Sequence, residues 1–314
     1  MRVLDAAAVA AALPFDRLIA ALRARFAAGC QVPPRHVHEM AGAHGATLTS
    51  LLMPAWAFDS DGSGRYGVKI INIAPANAAR GLPALHASYL LHDAQSGVPL
   101  ALLDGNELTA RRTAAASALA ASWLARSDAT HLLVVGAGRV ASLLPLAYRE
   151  VRPLDRISVW ARRREAARQL AQRLCAQGLP AGAVDDLDAA LRAADIVSCA
   201  TLATTPLVHG RHLQRGSHLD LIGSFTPQMR EADDDALRGA AVYVDTEEAW
   251  AKSGELLAPL ASGALRRDDI RGTLEMLARG SVAGRASNDE RTVFKSVGTA
   301  LEDLAAAMLA LGPA

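Results

Sequence analysis

Leu132 to Ala141 reads L-L-V-V-G-A-G-R-V-A, an apolar run followed by the pattern Gly136-x-Gly138-x-x-Ala141. In a strand–turn–helix unit the first glycine permits the tight turn and the second lets the backbone approach a pyrophosphate. The small third residue allows close packing of helix and strand. A glycine pattern alone is weak evidence, but here a strand-like segment precedes it and a helical segment follows. We therefore predict a dinucleotide-binding turn, with the first N–H groups of the helix facing the phosphates.

The segment after the next predicted strand, Arg156–Trp160, bears on which dinucleotide binds. An NAD site would place Asp or Glu about 20 residues beyond the glycines, where it binds the ribose 2′-OH. This chain instead has A-R-R-R from Ala161 to Arg164. Guanidinium groups suit a 2′-phosphate. The alternative is that these arginines only form the solvated start of a helix, although the helix dipole disfavours positive charge there. We predict NADPH as the cofactor, with weaker binding of NADH, and contacts from Arg162 and Arg163.

Strand-like and helical segments alternate from His131 onward. Regular alternation of this kind predicts an α/β fold with a parallel sheet and helices on both faces. The segment Asn288–Leu311 reads as a helix with no strand after it. The predicted strands are His131–Val135, Arg156–Trp160, Asp195–Ala200, Ser217–Ile222 and Ala241–Asp245, and the helices between them include Val140–Glu150 and Arg164–Ala176.

Composition narrows the class of protein. A length of 314 residues is enough for two domains. The formal net charge of +1 gives no general attraction to nucleic acid or membrane. The three cysteines lie far apart without metal-ligand spacing, so we expect thiols in a reducing compartment and no metal site. We find no secretory signal and no apolar run that fits a membrane span, and we expect a cytoplasmic protein.

Two basic residues before the glycine turn lie among apolar ones. On the helix predicted from Asn106, Arg112 occupies the same stripe as Leu108 and Ala116. An inward-facing arginine needs a buried anionic partner, which is either a structural carboxylate or the carboxylate of a substrate. Lys69 lies in the predicted strand Tyr66–Ile73, which is apolar on both faces. Periodicity therefore leaves open whether Lys69 is an edge residue or a buried functional amine.

Several stretches in colinear order resemble the ornithine cyclodeaminase/mu-crystallin family. They include K-I-I-N-I-A-P-A-N-A-A-R-G-L-P from Lys69, L-T-A-R-R-T-A-A-A-S-A-L-A-A from Leu108, G-A-G-R-V-A from Gly136 and T-V-F-K-S-V-G-T-A-L-E-D from Thr292. The resemblance implies a Rossmann-type doubly wound parallel sheet, residues 113–289, inserted in a smaller α+β domain that binds substrate and dimerises. Residues 1–112 and 290–314 would form that smaller domain. A homodimer in which the sheets of the smaller domains meet is also implied.

The resemblance further implies the roles of individual residues. Family members hold the α-carboxylate of an amino or imino acid with basic residues that match Arg35, Lys69 and Arg112, and Val293 would complete the substrate site. Lys69 is the implied catalytic proton source, because burial beside arginines should lower its pKa. Alternative proton sources are His36, His38 and His86. The implied cofactor contacts, besides Arg162 and Arg163, are Arg112, Thr113, Gly136, Gly138, Arg139, Val140, Ala200, Thr201, Leu219, Ile222, Gly223 and Thr292.

One departure from the cyclodeaminase branch bears on the reaction. That branch carries an aspartate two residues before a proline, and here Phe225 stands two residues before Pro227. Phenylalanine cannot supply the acid and base that cyclodeamination needs. The stretch G-S-F-T-P-Q-M-R-E from Gly223 resembles instead the ketimine reductases of the family, which need only hydride delivery and a proton on nitrogen. We expect reduction of Δ1-pyrroline-2-carboxylate or Δ1-piperideine-2-carboxylate to L-proline or L-pipecolate, with NADPH as the reductant.

Three alternatives remain open at this point. One is a dehydrogenase of open-chain amino or N-alkyl amino acids, which would differ mainly in its substrate. Another is a true ornithine cyclodeaminase, in which Glu231 or Asp220 would handle the proton and no NADPH would be consumed overall. The third is a binding protein like mu-crystallin, which would bind NADPH and a small ligand without turnover.

Overall fold

The computed structural model describes residues 1–42, 47–59 and 62–312. The chain falls into two compact units, of which the first comprises Met1–Arg112 and Thr299–Ala314 and the second comprises Thr113–Gly298. Within the described residues, no helix is both long enough and apolar enough to cross a membrane.

Long strands dominate the first unit, whereas short strands alternate with helices in the second. The strands are β1 (Arg2–Leu4), β2 (His36–Ala41), β3 (Thr47–Phe58), β4 (Gly64–Ile73), β5 (Leu85–Asp93), β6 (Pro99–Asp104), β7 (His131–Val135), β8 (Arg156–Trp160), β9 (Ala181–Ala183), β10 (Ile196–Cys199), β11 (His218–Leu221), β12 (Ala241–Val244), β13 (Ile270–Thr273) and β14 (Thr292–Lys295). The α-helices are α1 (Ala6–Ala12), α2 (Phe15–Ala28), α3 (Gly105–Leu124), α4 (Arg139–Tyr148), α5 (Arg164–Ala176), α6 (Leu187–Ala193), α7 (Asp234–Leu237), α8 (Ala249–Lys252), α9 (Gly254–Ser262), α10 (Leu274–Arg279) and α11 (Ala300–Leu311). Short 3-10 turns cover Pro75–Arg80, Gly210–His212 and Arg267–Asp269.

A six-stranded sheet with the order β1-β6-β5-β4-β3-β2 forms the frame of the first unit. β1 runs parallel to β6, and the other pairs are antiparallel. Helices α1, α2 and α11 pack together on this unit, with α11 against β3, β4 and β5. Successive side chains of a strand point to opposite faces. One face accordingly carries fully buried residues, among them Met53, Lys69, Tyr89, Leu91 and Leu103.

Gly67 makes this buried face possible. A Cβ atom at Gly67 would lie 2.1 Å from the hydroxyl of Tyr89 and 2.6 Å from its ring. Any larger residue would therefore displace the tyrosine, which is itself fully buried. Tyr89 pairs directly with Lys69 across the neighbouring strands. The glycine thus leaves room for the Tyr89 side chain over β4, the strand that also carries Lys69.

The second unit is built on an eight-stranded sheet with the order β13-β12-β14-β11-β10-β7-β8-β9. Every pair in it is parallel, as the alternation of strands and helices predicts. Chain order runs outward from β7 through β8 to β9, and in the other direction from β10 to β11. The direction therefore reverses between β7 and β10, which is the switch point where such sheets bind ligands at the carboxyl ends of their strands.

The C-terminal segment begins with a strand. The prediction of one helix over Asn288–Leu311 is wrong in its first part, because Thr292–Lys295 form β14 and α11 begins only at Ala300. All four residues of β14 are buried, and β14 pairs on both sides, with β11 and β12. The returning segment of the first unit therefore starts at Thr299 and not at residue 290, since β14 is an inner strand of the second sheet.

Candidate functional site

The buried face of the first unit holds a cluster of four charged side chains, which we call the ion cluster: Lys69, Arg112, Glu302 and Asp303. Nζ of Lys69 lies 2.6 Å from Oδ2 of Asp303. Nε of Arg112 donates to Oδ1 of Asp303 at 2.9 Å, and its Nη1 donates to Oε2 of Glu302 at 2.5 Å. Arg112 is 6% exposed and the other three are fully buried. Asp303 therefore bridges the two cations that the sequence singled out.

The protonation states within the ion cluster follow from burial and pairing. Burial lowers the pKa of Lys69 from its usual 10.5 to about 8, against the opposing attraction of Asp303. Burial on its own would raise the pKa of Asp303, but Lys69 and Arg112 hold it below its usual value. The carboxylate is therefore ionised at neutral pH, and the lysine is close to its point of titration. A lysine in this state is able to release a proton.

Arg35 directly precedes β2, which begins at His36. It is half-buried. β2 pairs with β3, and β3 pairs with β4, the strand that carries Lys69. The role of Arg35 toward a substrate carboxylate stays a prediction.

The three histidines considered as alternative proton sources are on the other face. His36 and His38 pair with Leu52 and Ser50, and His86 pairs with Asn72. Their partners alternate with the buried positions, Leu52 and Ser50 with Met53 on β3 and Asn72 with Lys69 on β4. The side chains of the three histidines therefore point away from the ion cluster. All three are exposed. A role for them as proton donors beside Lys69 is therefore not supported by the fold.

The glycine turn of the second unit has the form that a dinucleotide requires. Gly136 has φ of 130°, and a Cβ there would lie 2.6 Å from the carbonyl oxygen of Ala200. A Cβ at Gly138, in contrast, would meet no described protein atom within 4 Å. Helix α4 then begins at Arg139 without a side-chain cap, which leaves its first N–H groups for a ligand. Protein packing accounts for Gly136, whereas the open space at Gly138 fits a pyrophosphate that approaches the backbone closely.

The arginines after β8 differ in their partners. Arg164 and Arg168 pair with Asp185 at 3.6 and 3.9 Å. Arg162 and Arg163 are exposed, and among the described residues no carboxylate forms an ion pair with either. Arg163 is the N-cap residue of α5. These two guanidinium groups at the carboxyl end of β8 are therefore available to a phosphate.

The carboxyl ends of β10 and β11 lie next to the glycine turn. Thr201 follows β10, and Gly223 follows β11 after the half-buried Ile222. The backbone N–H of Thr201 donates to Oε1 of Glu231 at 2.7 Å, and that of Gly223 donates to Oε2 at 2.6 Å. Since β11, β10, β7 and β8 are neighbours in the sheet, their carboxyl ends form one row. We call it the ligand edge.

Three predicted site residues are not at the ligand edge. Leu219 is the second residue of β11, and Thr292 and Val293 open β14, so all three lie in the amino-terminal halves of their strands. Each is fully buried. The hydroxyl of Thr292 donates to the carbonyl of Leu124 at 2.7 Å and lies 2.9 Å from Nδ1 of His218. The predicted roles of Leu219 and Thr292 toward the cofactor and of Val293 toward the substrate are therefore wrong, because these residues form the interior of the sheet.

Phe225 and Asp220 have opposite surroundings. Phe225, in the loop after β11, is 48% exposed. Asp220 lies inside β11, fully buried, and burial raises the pKa of its carboxyl to about 6. It accepts hydrogen bonds from the hydroxyls of Ser117, Tyr148 and Ser198. Asp220 is therefore enclosed by the protein and cannot replace the aspartate that is missing at position 225.

Thr113, which the sequence assigned to the cofactor, is half-buried on α3.

Sequence reasoning did not identify Glu302 and Asp303 as the partners of Arg112. The sequence contained a signal for them, since they are adjacent acids in the otherwise apolar stretch that forms α11. A buried arginine and a pair of buried acids each need an oppositely charged partner, so their presence in one chain predicts a contact between them. Glu231 was considered only as a proton carrier, and its contacts to two backbone N–H groups were not predicted.

These features together define the class of the protein. A parallel sheet with a glycine turn at its switch point and exposed arginines at the neighbouring strand is the binding unit of a dinucleotide-dependent enzyme. The ion cluster supplies the first unit with a titrating lysine.

Comparison with known proteins makes the class specific. The sequence model of the ornithine cyclodeaminase/mu-crystallin family matches residues 3–311. Δ1-pyrroline-2-carboxylate reductase from Paracoccus denitrificans is 44% identical over 260 residues, which cover 82% of this chain and 81% of that protein. The chain belongs to the ornithine cyclodeaminase/mu-crystallin family. The predicted family, its reductase branch and the assignment to the oxidoreductases are thereby confirmed.

Solved structures agree over the whole chain. The Δ1-pyrroline-2-carboxylate reductase of Thermococcus litoralis, in complex with NADH and L-proline, superposes with a TM-score of 0.90 at 30% identity, covering 99% of this chain and 96% of that one. An archaeal alanine dehydrogenase dimer with bound NAD gives a TM-score of 0.88 at 27% identity, covering 99% and 95%. The predicted fold class is confirmed, and a nicotinamide dinucleotide is supported as the cofactor.

Proposed function

We propose that this protein reduces the C=N bond of a cyclic 2-carboxy-imine, Δ1-pyrroline-2-carboxylate or Δ1-piperideine-2-carboxylate, to L-proline or L-pipecolate with NADPH. The observation that carries the proposal is Phe225. It occupies the position where the cyclodeaminase branch has its acid–base aspartate, and its half-exposed ring cannot titrate. A preformed imine needs no group to expel ammonia. The name of the relative from Paracoccus denitrificans supports the same reaction.

Charge balance supports Arg35 as the third part of the carboxylate site. The ion cluster has two cations, Lys69 and Arg112, and two carboxylates, Glu302 and Asp303, so it is neutral before a substrate binds. A substrate carboxylate would make it negative. Arg35, the third basic residue that the family resemblance assigns to the carboxylate, would offset this negative charge.

Lys69 is the group that we assign to proton delivery. Its pKa of about 8 means that it is mostly protonated at neutral pH but releases its proton readily. Asp303 holds the ammonium group in place at 2.6 Å. A nicotinamide dinucleotide, when bound, would be the source of the hydride for C2 of the imine. The residues of this chain would orient the carboxylate and deliver the proton to the nitrogen.

The arginines after β8 support NADPH over NADH. Arg162 and Arg163 are exposed and have no carboxylate in contact among the described residues, whereas Arg164 and Arg168 of α5 both pair with Asp185. A 2′-phosphate would give them a partner through charge-assisted hydrogen bonds. The glycine turn serves either dinucleotide, so the preference rests on these two side chains.

We propose further that the protein is a homodimer joined through the second face of the first unit's sheet. That face carries a row of half-exposed apolar residues, Leu52, Val68, Ile70, Leu90 and Leu102. Such a patch on a sheet is typical of an interface. The name of the archaeal alanine dehydrogenase, which describes a dimer, supports this arrangement. Light scattering should give twice the chain mass of 32.9 kDa, and a mass of one chain at micromolar concentration would contradict the proposal.

A substrate panel tests the reaction. NADPH oxidation is measured with both cyclic imines and with pyruvate plus ammonia or methylamine, and ammonia release is measured with ornithine. We expect turnover with at least one cyclic imine and none with ornithine. Turnover only with pyruvate would favour an open-chain dehydrogenase, to which the similarity to alanine dehydrogenase also points. Ammonia release from ornithine would overturn the role given to Phe225, and binding of NADPH without any turnover would favour a ligand-binding protein.

A further inference from the structure

Two loops at the ligand edge converge on one buried carboxylate. Oε1 of Glu231 accepts the backbone N–H of Thr201 at 2.7 Å and its hydroxyl at 2.8 Å, and Oε2 accepts the N–H of Gly223 at 2.6 Å. Thr201 belongs to the loop after β10 and Gly223 to the loop after β11. A single side chain therefore fixes the ends of two neighbouring strands.

The packing around Glu231 leaves no room for another arrangement. A Cβ at Gly223 would lie 1.9 Å from the carbonyl oxygen of Thr201 and 2.5 Å from Oε1 of Glu231. Glycine is therefore required where the two loops and the carboxylate meet. Glu231 is fully buried, so it does not reach a ligand itself.

The backbone of Glu231 is also held by a second carboxylate. Oε2 of Glu255 accepts the N–H of Glu231 at 2.8 Å, and Oε1 accepts the N–H of Ala232 at 2.8 Å. Burial raises the pKa of Glu231 to about 7, while Lys295 on β14 and the hydrogen bonds from Thr201 oppose this shift. An ionised carboxylate is an acceptor only, which matches its three donors.

The order of strands in the sheet indicates which half of the dinucleotide lies near the loops after β10 and β11. The neighbours at the ligand edge are β11, β10, β7 and β8. The glycine turn follows β7, and the exposed arginines, which suit the adenosine 2′-phosphate, follow β8 on one side. A dinucleotide that crosses the switch point then extends its nicotinamide half toward β10 and β11.

We propose that Glu231 is a positioning residue that holds Thr201 and Gly223 in the places where their loops support the nicotinamide ring. This inference rests on the proposed function as a nicotinamide-dependent reductase, which it deepens. It predicts that loss of the carboxylate weakens binding of the nicotinamide half of the cofactor and leaves the adenosine half unchanged.

The test compares the cofactor with the same molecule without its nicotinamide. Glu231→Gln keeps the size of the side chain, but its amide has one acceptor oxygen and turns an N–H group toward Thr201 or Gly223. Isothermal titration calorimetry at pH 8 gives Kd for NADPH and for 2′-phospho-ADP-ribose. We expect E231Q to raise Kd for NADPH about tenfold, which is the size expected when hydrogen bonds to a charged group are lost. Kd for the analogue should change less than about twofold.

Asp195→Asn is the matched control. Asp195 also binds two backbone N–H groups, those of Thr130 and His131, both at 3.0 Å. It does so at the amino ends of β7 and β10, the opposite edge of the sheet. We expect D195N to leave both dissociation constants unchanged, although it lowers stability. Unchanged binding of NADPH to E231Q, or an equal weakening of NADPH and the analogue, would overturn the proposal.

Hydrogen exchange provides a readout without any ligand. In E231Q, amide exchange should quicken in the peptides that contain Thr201 and Gly223, and in D195N it should not. If E231Q does not fold, Thr201→Val removes the hydroxyl that donates to Glu231 and accepts the N–H of Ala203 at 3.3 Å, and it keeps the backbone N–H donor. This change should weaken NADPH binding about threefold, with no effect on the analogue. Unchanged NADPH binding by T201V would then count against the proposal.

Failure of the proposed function gives a different result. A protein that reduces none of the tested imines still allows both binding measurements, and NADH with ADP-ribose replaces NADPH and its analogue if NADH proves to be the cofactor. The role of Glu231 is therefore judged by binding alone.

Discussion

The cations of the ion cluster and those at the ligand edge are balanced in different ways. Lys69 and Arg112 are buried, and Asp303 touches both of them. Arg162 and Arg163 are exposed, and the described parts of the chain place no acid in contact with them. Both pairs are assigned to the binding of an anion. The buried pair, however, is neutralised by the protein before any ligand arrives, and the exposed pair is not.

The difference shows what each pair contributes to the fold. A buried charge without a partner destabilises a protein by several kcal/mol, so the ion cluster has to be complete in the folded chain. Exposed arginines are solvated by water and need no partner. Substitutions in the ion cluster should therefore change both stability and activity. Substitutions of the exposed Arg162 and Arg163 should change only affinity for the cofactor.

The largest effect is expected from Arg112→Ala. This change removes the cation that binds both Glu302 and Asp303. Transition-state binding should weaken by about 2–5 kcal/mol, and kcat/KM for the imine should fall by the corresponding factor. The free energy of unfolding should fall by about 3–5 kcal/mol, because two buried carboxylates lose their partner. Steady-state kinetics and urea unfolding measure the two effects.

Arg111→Ala is the control for this prediction. Arg111 is the adjacent residue on α3 and pairs with Glu107 at 2.8 Å, away from the ion cluster. Its loss should lower stability by about 1 kcal/mol and leave kcat/KM within about twofold of the original value. Intact activity in R112A would mean that the carboxylate site lies elsewhere.

The next effect concerns the ligand edge. Replacing Arg162 and Arg163 together with glutamate should raise KM for NADPH by about 10–100-fold, since charge-assisted hydrogen bonds to the 2′-phosphate are lost and like charges are introduced. KM for NADH should change little, and urea unfolding should give the original stability. Arg168→Glu is the control, because Arg168 lies in α5 just after these residues but is paired with Asp185. This change should not discriminate between the cofactors. Equal KM values for NADPH and NADH in the unmodified protein would contradict the assignment.

The two regions also differ in how far the sequence predicted them. The strands His131–Val135 and Arg156–Trp160 were predicted with their observed bounds, because each is a short segment rich in β-branched and other apolar residues that ends at a local turn pattern. Periodicity placed Arg112 on an inward face but could not name its partner, since Glu302 lies 190 residues away. Thr292 and Val293 were placed by resemblance alone. The edge at which they lie is decided by the pairing of β14, which no local pattern in the sequence reveals.

A third prediction uses pH to separate the two roles of Lys69. Its pKa in the folded protein is about 8, below its usual 10.5. Lys69 must be protonated to act as the proton donor. The titration of Lys69 should therefore leave kcat/KM constant below pH 8 and lower it about tenfold per pH unit above pH 8. Stability should follow the opposite course. Between pH 8 and 10.5 the unfolded chain binds the proton and the folded chain does not, so the contribution of Lys69 to stability rises with pH.

Lys69→Met separates this contribution from the other titrations. The stability of the unmodified protein relative to K69M should increase from pH 7.5 to pH 9.5 in urea unfolding. A difference that stays constant over this range would mean that the attraction of Asp303 offsets the cost of burial, because a pKa that is not lowered leaves Lys69 protonated in both the folded and the unfolded chain below pH 10.5. In that case its pKa is not lowered, and Lys69 binds the substrate carboxylate without delivering the proton.

The smallest effect is expected from salt. The Debye length falls from about 10 Å at 0.1 M to about 3 Å at 1 M ionic strength, and screening acts mainly on exposed charges. Arg162 and Arg163 are exposed, whereas the ion cluster is buried. Raising sodium chloride from about 0.05 to 0.5 M should therefore raise KM for NADPH about threefold or more and KM for NADH less than about twofold. In the variant with glutamate at both positions, KM for NADPH and KM for NADH should respond equally to salt, because the guanidinium groups whose attraction the salt screens are absent. If NADPH and NADH respond equally in the unmodified protein, the 2′-phosphate is bound by groups shielded from solvent, and the contrast between the exposed and the buried cations no longer holds.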